Sequence, residues 1–146
     1  MVPHEYLITI MRRMMYRISE KIAWQNNVHI LVNGESIGQV ASQTLTSMKA
    51  INEVVKIPVI RPVACFDKNE IIKIAKDINT YETSILPYED CCTIFVPKHP
   101  VINPEINLCQ EYENLFDYKT LIDKCIKEHE IIKVMREKEN KFQDLL

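Results

Sequence analysis

Glycine is nearly missing from this chain. It occurs twice in 146 residues, as Gly34 and Gly38, where a usage of roughly 7% would give about ten. Few positions are therefore free to take positive φ or to let a ligand come close to bare backbone. The other turns fall to Pro, Asn, Asp and Ser. Cysteine occurs five times, at Cys65, Cys91, Cys92, Cys109 and Cys125, and no pair is spaced as CxxC. The odd number, with no leader-like segment ahead of it, argues against a disulfide framework and for a reduced, cytoplasmic protein. Without CxxC or a His pair, no metal site is expected. No apolar run approaches the ~20 residues of a membrane span. A large charge imbalance is missing too. The formal charge of −2 excludes a strongly basic binder that holds nucleic acid by bulk electrostatics.

What is present is the composition of a globular chain, 47% hydrophobic and 26% charged, at the length of one domain or part of a larger one. From Glu5 to Trp24, Leu7, Ile10, Met11, Met14, Met15, Ile18 and Ile22 recur at helical spacing and predict a first helix with one buried stripe. Arg13, Arg17, Glu20 and Lys21 would form its solvated face, and Gln25-Asn26-Asn27 would end it. Val28 to Val32 (VHILV) suits a strand buried on both faces, as in a parallel sheet. Ser36 and Gln39 match an S-x-x-Q capping box and predict a second helix opening there, with Val40, Ala41, Leu45 and Met48 inside. A second strand is expected in Pro58–Val63. A third helix should follow the acidic cap at Asp67, with Ile71, Ile74, Ala75 and Ile78 on its core face. This order of elements predicts an α/β fold with parallel strands. From Thr80 to Pro104 prolines break up a long connection containing Cys91 and Cys92, and a connection of that length is more often functional than accidental. A last helix begins near Asp117 with Leu121, Ile122, Cys125, Ile126 and Ile132 as its stripe, and the charged end from Arg136 should fray.

Three groups of residues could carry chemistry. Gly34 and Gly38 lie where a strand runs into a helix, the place where open α/β sheets bind ligands and where a helix start offers amide N–H groups to anions. A tight turn with close packing explains the same two glycines about as well. Gln39 and Gln43, one helical turn apart, would face the same side of that site. Among the arginines of the first helix, Arg13 and Arg17 read as surface residues, whereas Arg12 sits at the edge of the apolar stripe, where it could reach toward phosphate. The Cys91-Cys92 pair is reactive only as thiolate. Glu89 and Asp90 disfavour that form, so activation would have to come from Lys98, His99, a distant arginine or a bound substrate.

Taken together, IMRRMM, NGESIGQVASQTL, PVIRPV and DKNEIIKIAKDINTYETSILPYEDCCTIFVPKHP resemble the C-terminal part of the tRNA 4-thiouridine synthetase family (ThiI). The resemblance runs from Val2 to about Pro104, with a weaker echo in FDYKTLIDKC. It implies a PP-loop ATP pyrophosphatase domain, a Rossmann-like parallel sheet with helices on both faces. Residues 1–115 would be its C-terminal part, including the Cys loop, and 116–146 a closing helix and frayed tail. It implies an enzyme that adenylates a uridine of tRNA with Mg-ATP and then inserts persulfide sulfur from a cysteine desulfurase, giving 4-thiouridine and also feeding thiamine thiazole synthesis. Arg12, Gly34 and Gln43 would contact ATP, and Cys91 would take part in sulfur transfer; Cys92 stands where some relatives have glycine.

The family's SGGxDS phosphate loop does not occur in this sequence, nor do the ferredoxin-like and THUMP parts that bind tRNA. The expectation is therefore an incomplete ATP site, a truncated or partial gene product, and no adenylation by the chain alone. Two other readings remain at this level. One is a non-catalytic nucleotide-binding or assembly module that oligomerises through an exposed sheet edge. The other is a redox sensor working through Cys91-Cys92.

Overall fold

The computed structural model describes residues 2–88, 97 and 99–134. A 3-10 turn at His4–Tyr6 leads into α1 (Leu7–Gln25). Strand β1 (Leu31–Val32) follows, then a second 3-10 turn (Ala41–Gln43), α2 (Leu45–Asn52) and β2 (Val59–Ile60). The chain continues through α3 (Lys68–Asp77), a short α4 (Tyr81–Ser84), α5 (Ile106–Glu113) and α6 (Tyr118–Lys127). The two strands are parallel, with Leu31 opposite Val59 and Val32 opposite Ile60, as the alternating order of elements predicted.

Glycine scarcity is solved with asparagine. At the end of α1, Asn27 takes φ 55°, and at the end of α3 Asn79 takes φ 58°. In each case the next residue donates back five positions, Val28 N to Ala23 O at 2.8 Å and Thr80 N to Ala75 O at 2.9 Å. These are Schellman endings built on the side chain that best tolerates left-handed backbone after glycine. At the other end of α3, Asp67 accepts from Asn69 N and Glu70 N while Glu70 returns a bond to Asp67 N, completing a capping box. Asp117 caps α6 by accepting from Thr120 N at 3.2 Å.

α1 packs against α2, α5 and α6. Its most deeply buried stripe differs from the one that periodicity suggests. Thr9, Ile10, Arg13, Tyr16, Glu20 and Ala23 are inside, whereas Met15 is half exposed. Arg13 and Glu20, expected on a solvated face, are buried because other elements bring them partners. Arg13 donates to Glu113 on α5 through Nε at 2.7 Å and Nη2 at 3.1 Å, and also to the Ala50 carbonyl. Arg17 grips the same carboxylate at 2.6 and 2.9 Å and stacks over Tyr118, 4.6 Å from its centroid. Glu20 accepts from the Lys56 and Ile57 amides at 2.6 and 2.9 Å. It thereby ties the approach to β2 to α1.

The inner face of the sheet packs Leu31 and Val59 against Tyr16, Ala23, Ile51, Val55 and Ile57. The outer face leaves Val32 62% and Ile60 48% exposed, so VHILV is covered on one side here and not on both. α3 buries none of its residues. Ile122 and Ile126 of α6 are buried while Leu121, Cys125 and Ile132 are exposed, so the last stripe is narrower than expected. α4 and α5, absent from the sequence reading, break up the connection and the segment after it. None of the described helices is long and apolar enough to cross a membrane.

Burial works to raise the Glu113 carboxyl, but hydrogen bonds and charge from Arg17 and Arg13 outweigh it and hold its pKa below the ordinary value. A depressed folded pKa contributes stability that is present above the unfolded value, about 4.3. That stability is lost as pH falls through the folded value. Glu113→Gln should therefore cost about 3–5 kcal/mol near neutrality and flatten the acid limb of stability below about pH 4.3. Urea titrations of both proteins between pH 3 and 7 read both effects.

Candidate nucleotide-binding site

β1 runs out at Val32, and residues 33–44 form a loop, with the 3-10 turn inside it, that closes on α2. Sequence placed a helix start at Ser36, with Gly38 in its first turn. The structure instead begins α2 at Leu45, where the Thr44 hydroxyl accepts from Ser47 N at 3.1 Å. The physical reason is Gly38, whose φ of +80° is incompatible with a right-handed helix. Gln39 and Gln43 consequently do not share a helical face. Gln43 turns inward: its Oε1 accepts from Ser36 N at 3.3 Å and its carbonyl accepts from Gly38 N at 2.9 Å.

This folding-back changes which amides a ligand could use. Glu35 N is held by Asn33 Oδ1, Ile37 N by the Ala64 carbonyl and Gln39 N by the Ser36 carbonyl. The open rank of N–H groups expected at a helix start is therefore absent from Glu35 to Gln39. Gly34 differs. It is exposed, and a Cβ built on it would meet nothing within 4 Å.

Under Gly34 lies a polar cluster with Glu35 at its centre. Glu35 is 5% exposed. Its Oε2 accepts from Tyr16 Oη at 2.8 Å, Asn33 Nδ2 at 2.8 Å and Arg61 Nε at 2.7 Å. Its Oε1 pairs with the Arg12 guanidinium, which also donates to the Ser42 carbonyl at 2.8 Å. Arg61, just past β2, donates to Tyr16 Oη at 3.1 Å and Asn52 Oδ1 at 3.0 Å. Pro62 biases Arg61 toward extended backbone, consistent with its place at the strand end. Arg12 thus reaches from α1 to the loop after β1, with a carboxylate partner that sequence did not suggest.

Arg12, Gly34 and Gln43 are therefore brought to one loop. Cys91 and its neighbour Cys92 lie outside the described residues. Glu35, Arg61, Tyr16, Asn33 and Asn52 were not singled out from sequence. The signal available was a charged residue just beyond the first predicted strand, Glu35, and another inside the second, Arg61, at the end of the sheet where parallel strands hold ligands. Beside the loop a cavity of about 480 Å³ opens between α2 and residues 61–64, lined by Ile37, Met48, Asn52, Arg61, Ala64 and Ile106 among others. Among the described residues no three His, Cys, Asp or Glu side chains converge as a metal site. The chemistry on offer is a cationic rim beside bare exposed backbone, which suits a nucleotide better than it suits a metal ion. A floor of free amides for the phosphates is not found in residues 35–39.

Gly38→Ala should destabilise the chain by about 1–2 kcal/mol, because alanine at positive φ is strained. Gly34→Ala should stay within about 0.5 kcal/mol, as for an unconstrained surface change. Chemical denaturation of the two variants side by side checks the contrast.

The family model described as "Thiamine biosynthesis protein (ThiI)" matches residues 1–118. A probable tRNA sulfurtransferase of Brevibacillus brevis is 48% identical over 143 residues, 98% of this chain and 36% of that protein. One from Acholeplasma laidlawii is 52% identical over 126 residues, covering 86% of this chain and 31% of the relative. A solved 4-thiouridine synthetase–RNA complex with bound ATP superposes with a TM-score of 0.82 at 42% identity. That match covers 87% of this chain and 33% of the other. The chain therefore spans about a third of the length of the relatives it matches. With the parallel sheet, the helices packed on it and a family match covering most of its residues, this chain belongs to the ThiI family.

Proposed function

We propose that this chain forms one wall of the nucleotide site in an ATP-dependent tRNA sulfurtransferase, the enzyme that converts a uridine of tRNA to 4-thiouridine. The observation that carries the reading is the ATP-bound, RNA-bound synthetase of matching fold at 42% identity. It is supported by a guanidinium rim next to an exposed glycine just past a parallel strand. In this reading Arg12 offers positive charge to the nucleotide, Gly34 allows close approach of its backbone, and Gln43 shapes the loop that backs them. Gln43 is turned onto Ser36 N, so its contribution includes holding the loop closed.

The remaining roles extend from the family resemblance. Adenylation turns a uridine oxygen into a leaving group. The outer sulfur of a Cys91 persulfide, received from a cysteine desulfurase, would attack the carbon bearing that oxygen and displace AMP; a second thiol would then attack Cys91 Sγ, break the S–S bond to free 4-thiouridine and leave a disulfide for an external dithiol to reduce. Mg²⁺ would accompany ATP, and the same sulfur would serve thiamine thiazole synthesis. The phosphate-gripping SGGxDS loop does not occur in this sequence, so the chain acts together with a segment that carries it.

The test separates the two half-reactions. The chain alone should show no tRNA-dependent pyrophosphate release. Complemented by a polypeptide bearing the SGGxDS loop and the tRNA-binding parts, it should release pyrophosphate and form 4-thiouridine. In the complemented enzyme Cys91→Ser should abolish thiolation and leave pyrophosphate release within about twofold. Arg12→Ala should weaken both by tenfold or more. Robust turnover by the isolated chain, or full thiolation by the Cys91 variant, would overturn the assignment.

A second reading, an assembly module that works by pairing rather than by catalysis, is favoured by one observation, the exposed Val32 and Ile60 on the outer face of the sheet. Exposed apolar surface of this kind draws a partner. Light scattering distinguishes the readings: self-association that persists after complementation supports the module, and a complemented one-to-one complex supports the enzyme.

A further inference from the structure

Glu35 poses a problem for the site as proposed. It directly follows the glycine that faces the nucleotide, and a negative side chain in a loop meant for a polyanion works against binding by Coulomb repulsion. Its geometry removes the difficulty. The carboxylate is turned inward and clamped between two guanidinium groups, Arg12 on Oε1 and Arg61 on Oε2. Tyr16 and Asn33 complete the coordination of Oε2. Two arginines against one carboxylate leave the cluster a single net positive charge. The cluster also joins four elements, α1 through Arg12 and Tyr16, the β1 loop through Asn33 and Glu35, the β2 exit through Arg61, and α2 through Asn52. Arg12 is gripped at two points, by Glu35 and by the Ser42 carbonyl. Its side chain keeps 14% of its surface open.

We infer that Glu35 is a positioning residue for nucleotide binding: without touching the nucleotide, it fixes the Arg12 guanidinium in one geometry beside the loop that carries Gly34. A guanidinium on a flexible stem loses rotamer freedom on binding, and one already held by a carboxylate loses less. The inference rests on the reading that Arg12 and Gly34 line the nucleotide site, and it adds the group that preorganises Arg12. Arg61 acts as counterweight. It keeps Glu35 from neutralising Arg12 completely.

The experiment measures ATP dissociation constants by calorimetry on the chain complemented with the SGGxDS-bearing segment. Arg12→Ala tests the underlying reading and should weaken ATP binding at least tenfold. Glu35→Gln preserves size but turns an amide donor toward one of the two arginines, and should weaken binding about tenfold. Because Glu35 acts through Arg12, the double variant Arg12→Ala/Glu35→Gln should bind no more weakly than Arg12→Ala alone, a non-additivity that general destabilisation does not produce. Tyr16→Phe removes one hydrogen bond from Glu35 without changing charge. It should weaken binding two- to fivefold, again with no further loss on top of Arg12→Ala, and it carries the test if Glu35→Gln does not fold. Wild-type affinity in Arg12→Ala would remove the site reading. Weakened Arg12→Ala with unaffected Glu35→Gln and Tyr16→Phe, or losses that multiply in the double variants, would overturn the role of Glu35 and leave the site reading standing.

Discussion

An arginine withdrawn fully from water must meet a carboxylate in good geometry, or the fold does not form around it. Arg13 is such a residue, and its partner Glu113 lies 100 positions further along the chain. This pairing draws α5 onto α1. Arg17 closes on the same carboxylate from the next turn, and Lys21 reaches Asp123 on α6 beyond it. One face of α1 is thus a ladder of charges, answered by α5 at Arg13 and Arg17 and by α6 at Lys21. Glu20 extends the ladder to the backbone before β2, and Tyr16 and Arg12 extend it to the loop after β1. Apolar packing around Ile51 and Ile57 supplies the bulk of the interior, while the ladder decides which segment lies where.

The same helix therefore serves architecture and chemistry with consecutive residues. Arg13 points toward α5, and Arg12, one position earlier, points toward the loop where nucleotide binding is proposed. A helix rotates its side chains by roughly 100° per residue, so two neighbouring arginines necessarily address different surroundings. Their roles follow from that rotation and from what the fold brings to each side. Rigidity at Arg13 supports precision at Arg12, because α1 cannot roll without breaking the ion pair with Glu113.

The sequence made the α/β order, the parallel pairing and three of the helices legible. Those features are local, set by periodicity, caps and strand-length apolar runs. Asp67 and Asp117 announced their helices because a cap acts within three residues. What stayed hidden depends on distant encounters. Arg13 and Glu20 look like surface charges until Glu113 and the Lys56 amide arrive, and no spacing rule reveals a partner far along the chain. The start of α2 was misplaced for a subtler reason. Ser36 and Gln39 satisfy the capping pattern, but Gly38 between them takes a left-handed conformation that pattern does not register. For the candidate site, family resemblance singled out Arg12, Gly34 and Gln43, which the fold brings to one loop. Glu35 and Arg61 needed the three-dimensional arrangement.

The asparagine helix endings have a bearing on the chain before it folds. Glycine would reach the left-handed backbone of Asn27 and Asn79 with less strain, yet it would also multiply the conformations available to the disordered polypeptide. By stopping its helices with a residue that carries a side chain, this molecule narrows the ensemble from which it must be collected. Some of its order is thus secured on the denatured side of the equilibrium, where no contact in the native architecture records it.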